Sequence, residues 1–220
     1  IGFPLVDSVV RRSFIATGGT VLATKLALNY GIACNTAGGS HHATSNEGAG
    51  FCVFNDVAVA AKYLTTRGLA NKILSIDLDV HQGNGNSEIF KNDNQVFTFS
   101  MHSKVNYPAK KSVSDLDIEL EENLEDREYI DILKNNLKYL NEEEFDFVFY
   151  IAGVDIHYND RLGKLKISDN GIFERDELVI DNFFSNKIPI CGVLGGGYNE
   201  DFNKLVELHS SLHKTCAKFL

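Results

Sequence analysis

The sequence predicts an α/β protein of three αβα layers, with helices on both faces of a mostly parallel central sheet. Three observations predict it. Apolar runs of strand length alternate with segments of helical periodicity along the chain. The strand candidates, Phe145–Ala152 above all, are predominantly apolar, as strands covered on both faces are. The conspicuous polar clusters fall where apolar runs stop, and parallel sheets place their ligand sites at those carboxyl ends. At 220 residues, with 44% of them hydrophobic, the chain is long enough for one domain with a substantial core, spanning 1–220.

The elements follow in order. Ser8–Tyr30 reads as a helix interrupted or bent at Gly18-Gly19, and Ile32–Thr36 as a short strand. A flexible turn then leads into His41-His42. Gly48–Phe54 is a second glycine-rich loop, after which Asn55 or Asp56 caps a helix over Val57–Arg67. That helix is apolar almost all round, which predicts burial, and Gly68 ends it. A strand from Lys72, a short helix near Asn86–Lys91 and a strand over Gln95–Ser100 come next. Asn106–Asn123 reads as a long loop. Tyr129, Ile130, Leu133, Leu137 and Leu140 recur at helical spacing within Arg127–Leu140. The strand Phe145–Ala152 is followed by a loop over Asp160–Lys166 and a helix over Asn170–Asn186. A strand over Ile188–Leu194 and a helix over Asp201–Leu220, with Leu205, Leu208 and Leu212 on one face, complete the chain.

The stretch Lys72–Gly85 carries the chemistry. Its apolar strand runs out into Asp77, Asp79 and His81, which alternate and therefore share one face. Taken alone, such residues have a second, less favoured reading as a solvated loop. As a group, two carboxylates and an imidazole at a buried strand end need a partner, and a divalent cation satisfies all three. Asp155, at another strand end, is a third ligand beside Asp79 and His81, leaving a position open for water. The histidine pair suits a general base, and Tyr198, after Gly195-Gly-Gly, a donor to a developing oxyanion. Asp77 is better placed to orient a histidine than to add a fourth ligand.

Composition narrows the classes. A net charge of −9 disfavours non-specific binding to nucleic acid or anionic membrane. Much of it lies in the acid-rich stretch Asp115–Glu128, which reads as a solvated loop or helix face. The four cysteines show no CxxC spacing and read as reduced thiols, with Cys52 a small buried hydrophobe. With no signal-peptide pattern and no apolar run of membrane-spanning length, a cytoplasmic location is expected, nuclear if the source is eukaryotic. His209 and His213, four apart on a helix, read as surface residues for want of a third ligand, and His102 and His157 receive no role. The start at Ile1 is expected to mark a processed or truncated form, or a fragment.

Gly-Gly-Ser-His-His-Ala (38–43), Gly-Phe-Cys-Val-Phe-Asn-Asp (50–56), Asp-Leu-Asp-Val-His-Gln-Gly-Asn-Gly (77–85), Ala-Gly-Val-Asp (152–155) and Gly-Gly-Gly-Tyr (195–198) resemble, in order, the motifs of the zinc-dependent histone deacetylase family. The wording of 55–61, 81–85 and 160–163 is most similar to its class IV branch and bacterial relatives. The resemblance implies an arginase-like fold and hydrolysis of acyl-lysine amides on a protein or peptide partner. It implies Asp79, His81 and Asp155 as zinc ligands, which iron(II) would fit nearly as well. It implies His42 as general base, His41 as its neighbour oriented by Asp77, and Tyr198 as the carbonyl-polarising hydroxyl. Phe51 becomes a wall of the acyl-lysine tunnel, with Gly50 and Gly196 on the substrate side. A structural potassium ion would be held by Asp77, Ser100 and the main chains of Asp79, His81 and Met101. Asn84 departs from the aspartate many members have as partner of the second histidine. The family domain is expected to have a further N-terminal segment, supplying sheet edge and tunnel rim.

Two other readings stand beside it. An arginase- or agmatinase-like ureohydrolase, or an acetylpolyamine-type deacetylase, shares the fold. The two-manganese ureohydrolase site needs an Asp where this chain has Gly83. A silent acyl-lysine-binding protein would not need the full set of acid, base, metal and tyrosine positions.

Overall fold

The computed structural model describes residues 1–4 and 6–219. Six strands form one sheet: β1 (Ile32–Cys34), β2 (Ile73–Asp77), β3 (Val96–Ser103), β4 (Leu116–Leu120), β5 (Phe147–Ile151) and β6 (Ile190–Val193). Their spatial order is β1-β6-β5-β2-β3-β4, and every pairing is parallel. The helices are α1 (Asp7–Tyr30), α2 (Asp56–Thr66), α3 (Asn84–Phe90), α4 (Asp126–Leu140), α5 (Asp169–Ser185) and α6 (Phe202–Cys216).

Strand alternation divides the core into two layers. Phe147, Phe149 and Ile151 pack with Val57, Ala61 and Leu64 of α2 and Ala23 and Ala27 of α1. Val148 and Tyr150 point the other way, toward Leu133 of α4, Val179 of α5 and Leu208 of α6. Helices therefore cover both faces, as the apolar strands require. The central pairing β5-β2-β3 puts the ends of Asp77, Ile151 and Ser100 side by side. The polar loops that follow these strands consequently open on one edge.

Several expectations are corrected. α1 runs uninterrupted through Gly18-Gly19, since its packing on α2 and β1 outweighs the low helical propensity of glycine. The region expected as a loop over Asn106–Asn123 contains β4, whose Leu116, Ile118 and Leu120 alternate with acids. Charges on such an edge strand block pairing with other chains, and here they hid the strand among polar neighbours. α2 is not buried all round: Val59 and Lys62 are exposed. α6 ends at Cys216 in a short 3₁₀ turn, Ala217–Phe219, and the expected helix end at Leu220 lies outside the described residues. Among the described residues no helix is long and apolar enough to cross a membrane.

Candidate active site

After β1 the chain turns through Gly38 and Gly39 into the two histidines. Gly39 has φ +80°, and a Cβ there would lie 2.5 Å from the Gly195 nitrogen, so only glycine lets this loop rest on the loop after β6. Asp56 fixes the loop from below, accepting from the Gly39 N–H (3.2 Å), the Ser40 N–H (2.8 Å) and the Thr20 hydroxyl (2.6 Å). Asn55 is the helix cap, accepting from the Ala58 N–H. Asp56 thus has a positioning role that its reading as an alternative cap did not give it.

The two imidazoles lie 4.1 Å apart between ring centroids, each with its own partner. His41 Nδ1 is 2.7 Å from Asp77 Oδ2, and His42 Nδ1 is 2.7 Å from Asn84 Oδ1. Asn84 Oδ1 can only accept, so His42 carries its proton on Nδ1 and presents the Nε2 lone pair. Both rings are buried, with opposite consequences. Burial pulls His41 down, but the charges of Asp77 and Asp79 outweigh it and raise it to about 9. Burial, then the charge of His41, push His42 down to about 2. The pair therefore holds one charged and one neutral imidazole.

Asp79 and His81 come from the turn after β2, and Asp155 from the loop after the adjacent β5. One ligand atom from each lies within 4.8 Å of the others. His81 Nδ1 is 3.0 Å from both Asp79 Oδ1 and Asp155 Oδ2. Both carboxylates are 0% exposed. Burial opposes charge on His81, yet its hydrogen bonds to Asp155 and Asp79 raise it to about 10. Burial and the charge of Asp79 raise Asp155 to about 7. Two buried carboxylates held together by one imidazole proton are an oxygen–nitrogen–oxygen donor set that a divalent cation fits, releasing that proton. A Cβ at Gly83 would lie 2.2 Å from Asp77 Oδ2, leaving no room for a further metal-ligating side chain at that position.

A cavity of about 470 Å³ leads to this centre, lined by His42, Gly50, Phe51, His81, Tyr107 and Tyr198, with Glu47. The Tyr198 ring stands edge-on to His81 at 6.1 Å and 6.0 Å from Phe51. Burial, then the charges of Asp79 and Asp155, hold the Tyr198 phenol well above its usual range, so its proton stays on. Tyr107 stands edge-on to His42 at 4.8 Å, forming a wall within the segment expected as a loop. Its one sequence signal is an aromatic before Pro108, downstream of a strand end. Asp160 accepts from the Tyr198 N–H at 2.6 Å and so holds the tyrosine loop. Gly50 has φ +49°, and a Cβ there would lie 2.3 Å from His42 Cδ2.

The remaining expected residues fall as follows. Gly196 donates its N–H to Asp79 Oδ2 (2.6 Å) and accepts from the Val154 N–H (2.7 Å), so its main chain braces the ligand loops. It lines a second cavity of about 430 Å³ that also touches His41, Cys52 and His209. Burial raises the Cys52 thiol to about 12, which keeps it unreactive, as its reading as a small hydrophobe required. Ser100 pairs with Asp77 in register and its hydroxyl is 2.9 Å from His102 Nδ1; Met101 is buried beside it. His157 bonds Asp169 at 2.9 Å. His209 and His213 are corrected: both are half-buried, with His209 close to Gly197 and lining the second cavity.

Residues 2–212 match the histone deacetylase domain family. An uncharacterized protein of Picosynechococcus sp. is 49% identical over 215 residues, covering 97% of this chain and 72% of that protein. Histone deacetylase 2 of Arabidopsis thaliana is 36% identical over 194 residues, covering 86% of this chain and 50% of its own length. In three dimensions the fold resembles an acetylpolyamine aminohydrolase from Burkholderia pseudomallei. Its TM-score is 0.81 at 20% identity, over 95% of this chain and 63% of that one. The chain thus spans about half the length of the plant relative and under two thirds of the bacterial structure.

Proposed function

Because this chain belongs to the histone deacetylase domain family, we propose that it is a zinc-dependent amidohydrolase of the class IV type that removes acetyl or longer acyl groups from lysine side chains. One observation carries the reading: the buried Asp79–His81–Asp155 group sits beside a neutral and a charged imidazole, at the bottom of a cavity walled by Phe51 and Tyr107.

A zinc ion held by Asp79, His81 and Asp155 would acidify a water and polarise the substrate carbonyl. The chain's own groups do the rest. Neutral His42 accepts the proton of the attacking water at Nε2, with Asn84 holding the tautomer. The Tyr198 hydroxyl donates to the carbonyl oxygen as charge develops on it. Charged His41 stabilises that charge, and the imidazolium formed on His42 returns its proton to the leaving amine. A structural potassium ion is proposed at Asp77 and Ser100, with the main chains of Asp79, His81 and Met101. Phe51 and Tyr107 clasp the aliphatic stem of the substrate lysine and exclude water.

A second reading is favoured by the fold neighbour's substrate and by charge. A small acetylated polyamine is cationic, and Glu47 stands on the cavity while the chain carries −9. Assay of acetyl-lysine peptides, long-chain acyl-lysine peptides and acetylated polyamines with zinc-loaded protein separates the two. Turnover of the peptides is expected; turnover of polyamines alone overturns the lysine reading.

A further inference from the structure

On the far side of the ligand loops from the cavity lies Arg175 of α5, which is fully buried. Its Nε and Nη2 donate to Asp176 Oδ1 at 3.0 and 2.8 Å, and that oxygen also accepts from the Tyr150 hydroxyl at 2.6 Å. The other face of the guanidinium turns to main chain. Nη1 donates to the Gly153 carbonyl at 2.5 Å and reaches the Leu78 carbonyl at 3.5 Å, while Nη2 reaches Ala152 at 3.4 Å. These three carbonyls lie beyond the last residues of β2 and β5, where the ladder has stopped. They belong to the two segments that carry the metal ligands.

A trans peptide points its C=O and its N–H in opposite directions. With the Gly153 carbonyl turned to Arg175, the Val154 N–H faces the site and donates to Gly196 at 2.7 Å. With the Leu78 carbonyl turned the same way, the Asp79 N–H donates to Asp77 Oδ1 at 3.2 Å. Two further bonds close the weave: Gly196 N–H to Asp79 Oδ2 at 2.6 Å, and Val80 N–H to Asp155 Oδ1 at 2.9 Å. Each metal carboxylate is therefore held by the segment belonging to another strand, and one guanidinium sets the orientation of the peptides behind both.

We propose that Arg175 is a positioning residue for the metal centre, fixing the separation of Asp79 and Asp155 through the carbonyls of Leu78, Ala152 and Gly153. The proposal rests on the metal-site reading above. The planar fork is what the role requires. Arg175 serves Asp176 Oδ1 and three carbonyls from one rigid group, whereas an ammonium is a point donor on a flexible stem and cannot span both strand ends.

The full chain is stripped of metal and titrated with zinc against a fluorescent chelator, with melting of the metal-free protein measured alongside. Arg175→Lys keeps the charge and loses the fork. It is expected to weaken zinc binding by about 10–100-fold, as loss of groups that orient metal ligands does, and to lower kcat more than it raises KM. Leu133→Ala, in the α4 core away from the site, supplies a matched loss of melting temperature with unchanged zinc affinity. Wild-type zinc affinity in Arg175→Lys, or an equal weakening in Leu133→Ala, overturns the proposal and leaves the metal site standing. Wild-type protein that binds no zinc overturns both. If Arg175→Lys does not fold, Asp176→Ala takes its place, since it leaves the guanidinium but removes the oxygen that aims it. Weakened zinc binding then supports the proposal, and wild-type affinity sinks it.

Discussion

Two regions of this molecule are rich in carboxylates, and they behave as different chemical materials. Asp77, Asp79 and Asp155 are at most 2% exposed, lie at the ends of adjacent strands, and have histidines as side-chain partners, beside main-chain N–H donors. The stretch Asp115–Glu128 has more acids, yet most of them face solvent. Its less exposed members are satisfied by neutral donors: Asp117 by Gln82 and Ser114, Asp126 by Ser168. The lesson is that density of charge along the sequence marks a surface, whereas a few carboxylates along an apolar strand mark a site. Water solvates the first set at no cost, and the second set requires a cation.

The largest expected effect tests that contrast. Asp79→Ala or Asp155→Ala should retain no zinc by metal analysis and show no turnover above background. Glu121→Gln with Glu122→Gln removes two charges from the exposed set. It should leave zinc content and kcat unchanged and alter stability by less than about 0.5 kcal/mol. Equal retention of one zinc by all three proteins would erase the distinction between the regions.

Metal removal should come next in size. A folded-state ligand present at about a thousand times its Kd stabilises by roughly 4 kcal/mol. Dialysis against a chelator should therefore lower the melting temperature and abolish activity, with one equivalent of zinc restoring both. Restoration needing two equivalents would favour a two-metal centre, against the close approach of position 83 to Asp77.

Beside the buried set, Tyr198→Phe isolates the proposed oxyanion donor. Loss of one such donor costs about 10²–10³ in kcat, and zinc content should not change because Tyr198 is outside the ligand group. A kcat close to wild type would show that the hydroxyl plays no part in turnover.

The same contrast explains how much of the molecule is legible in its sequence. Asp77, Asp79 and His81 are readable because strand periodicity continues into them, and Asp155 because its strand is apolar to its last residue. Tyr129, Ile130, Leu133, Leu137 and Leu140, which read as one helix face, are all buried in α4. Strand β4 is masked because its alternation sits inside the acidic stretch, where charge dominates any local pattern. Tyr107 and Asp56 escape for another reason. Tyr107 meets His42 from a loop after β3, and Asp56 meets the loop before the histidines from the start of α2; no local pattern encodes a meeting across the fold of that kind. Arg175 looks like an ordinary charged helix residue, since nothing in the periodicity of α5 reveals that its fork meets the ends of β2 and β5.

The smallest expected effect concerns the difference between the two imidazoles. His41 faces a carboxylate and is raised, while His42 faces the neutral Asn84 and is lowered. Burial is the first cause acting on His42 and the charge of His41 the second, with Asn84 offering only a hydrogen bond in the opposite direction. Asn84→Asp places a negative charge at that hydrogen bond, and an opposite charge at such range raises the pKa of an imidazole by about 1–3. The sign follows from the role proposed for His42 as base. Its neutral form is lost as pH falls through its pKa, so raising that pKa moves the acidic limb of kcat/KM to higher pH. On the acidic side the variant's rate should fall about tenfold for each pH unit by which the limb has moved, and at the plateau it should change little. Zinc content should be unaltered, because Asn84 touches His42 and not the ligand group. The profile is to be recorded for both proteins at fixed potassium, since the cation proposed near Asp77 would also bias the pair. An acidic limb that stays in place while plateau activity is kept would show that His42 is not the group whose protonation limits the reaction. The charged His41, already paired with Asp77, would then be the base to examine, by Asp77→Asn in the same measurement.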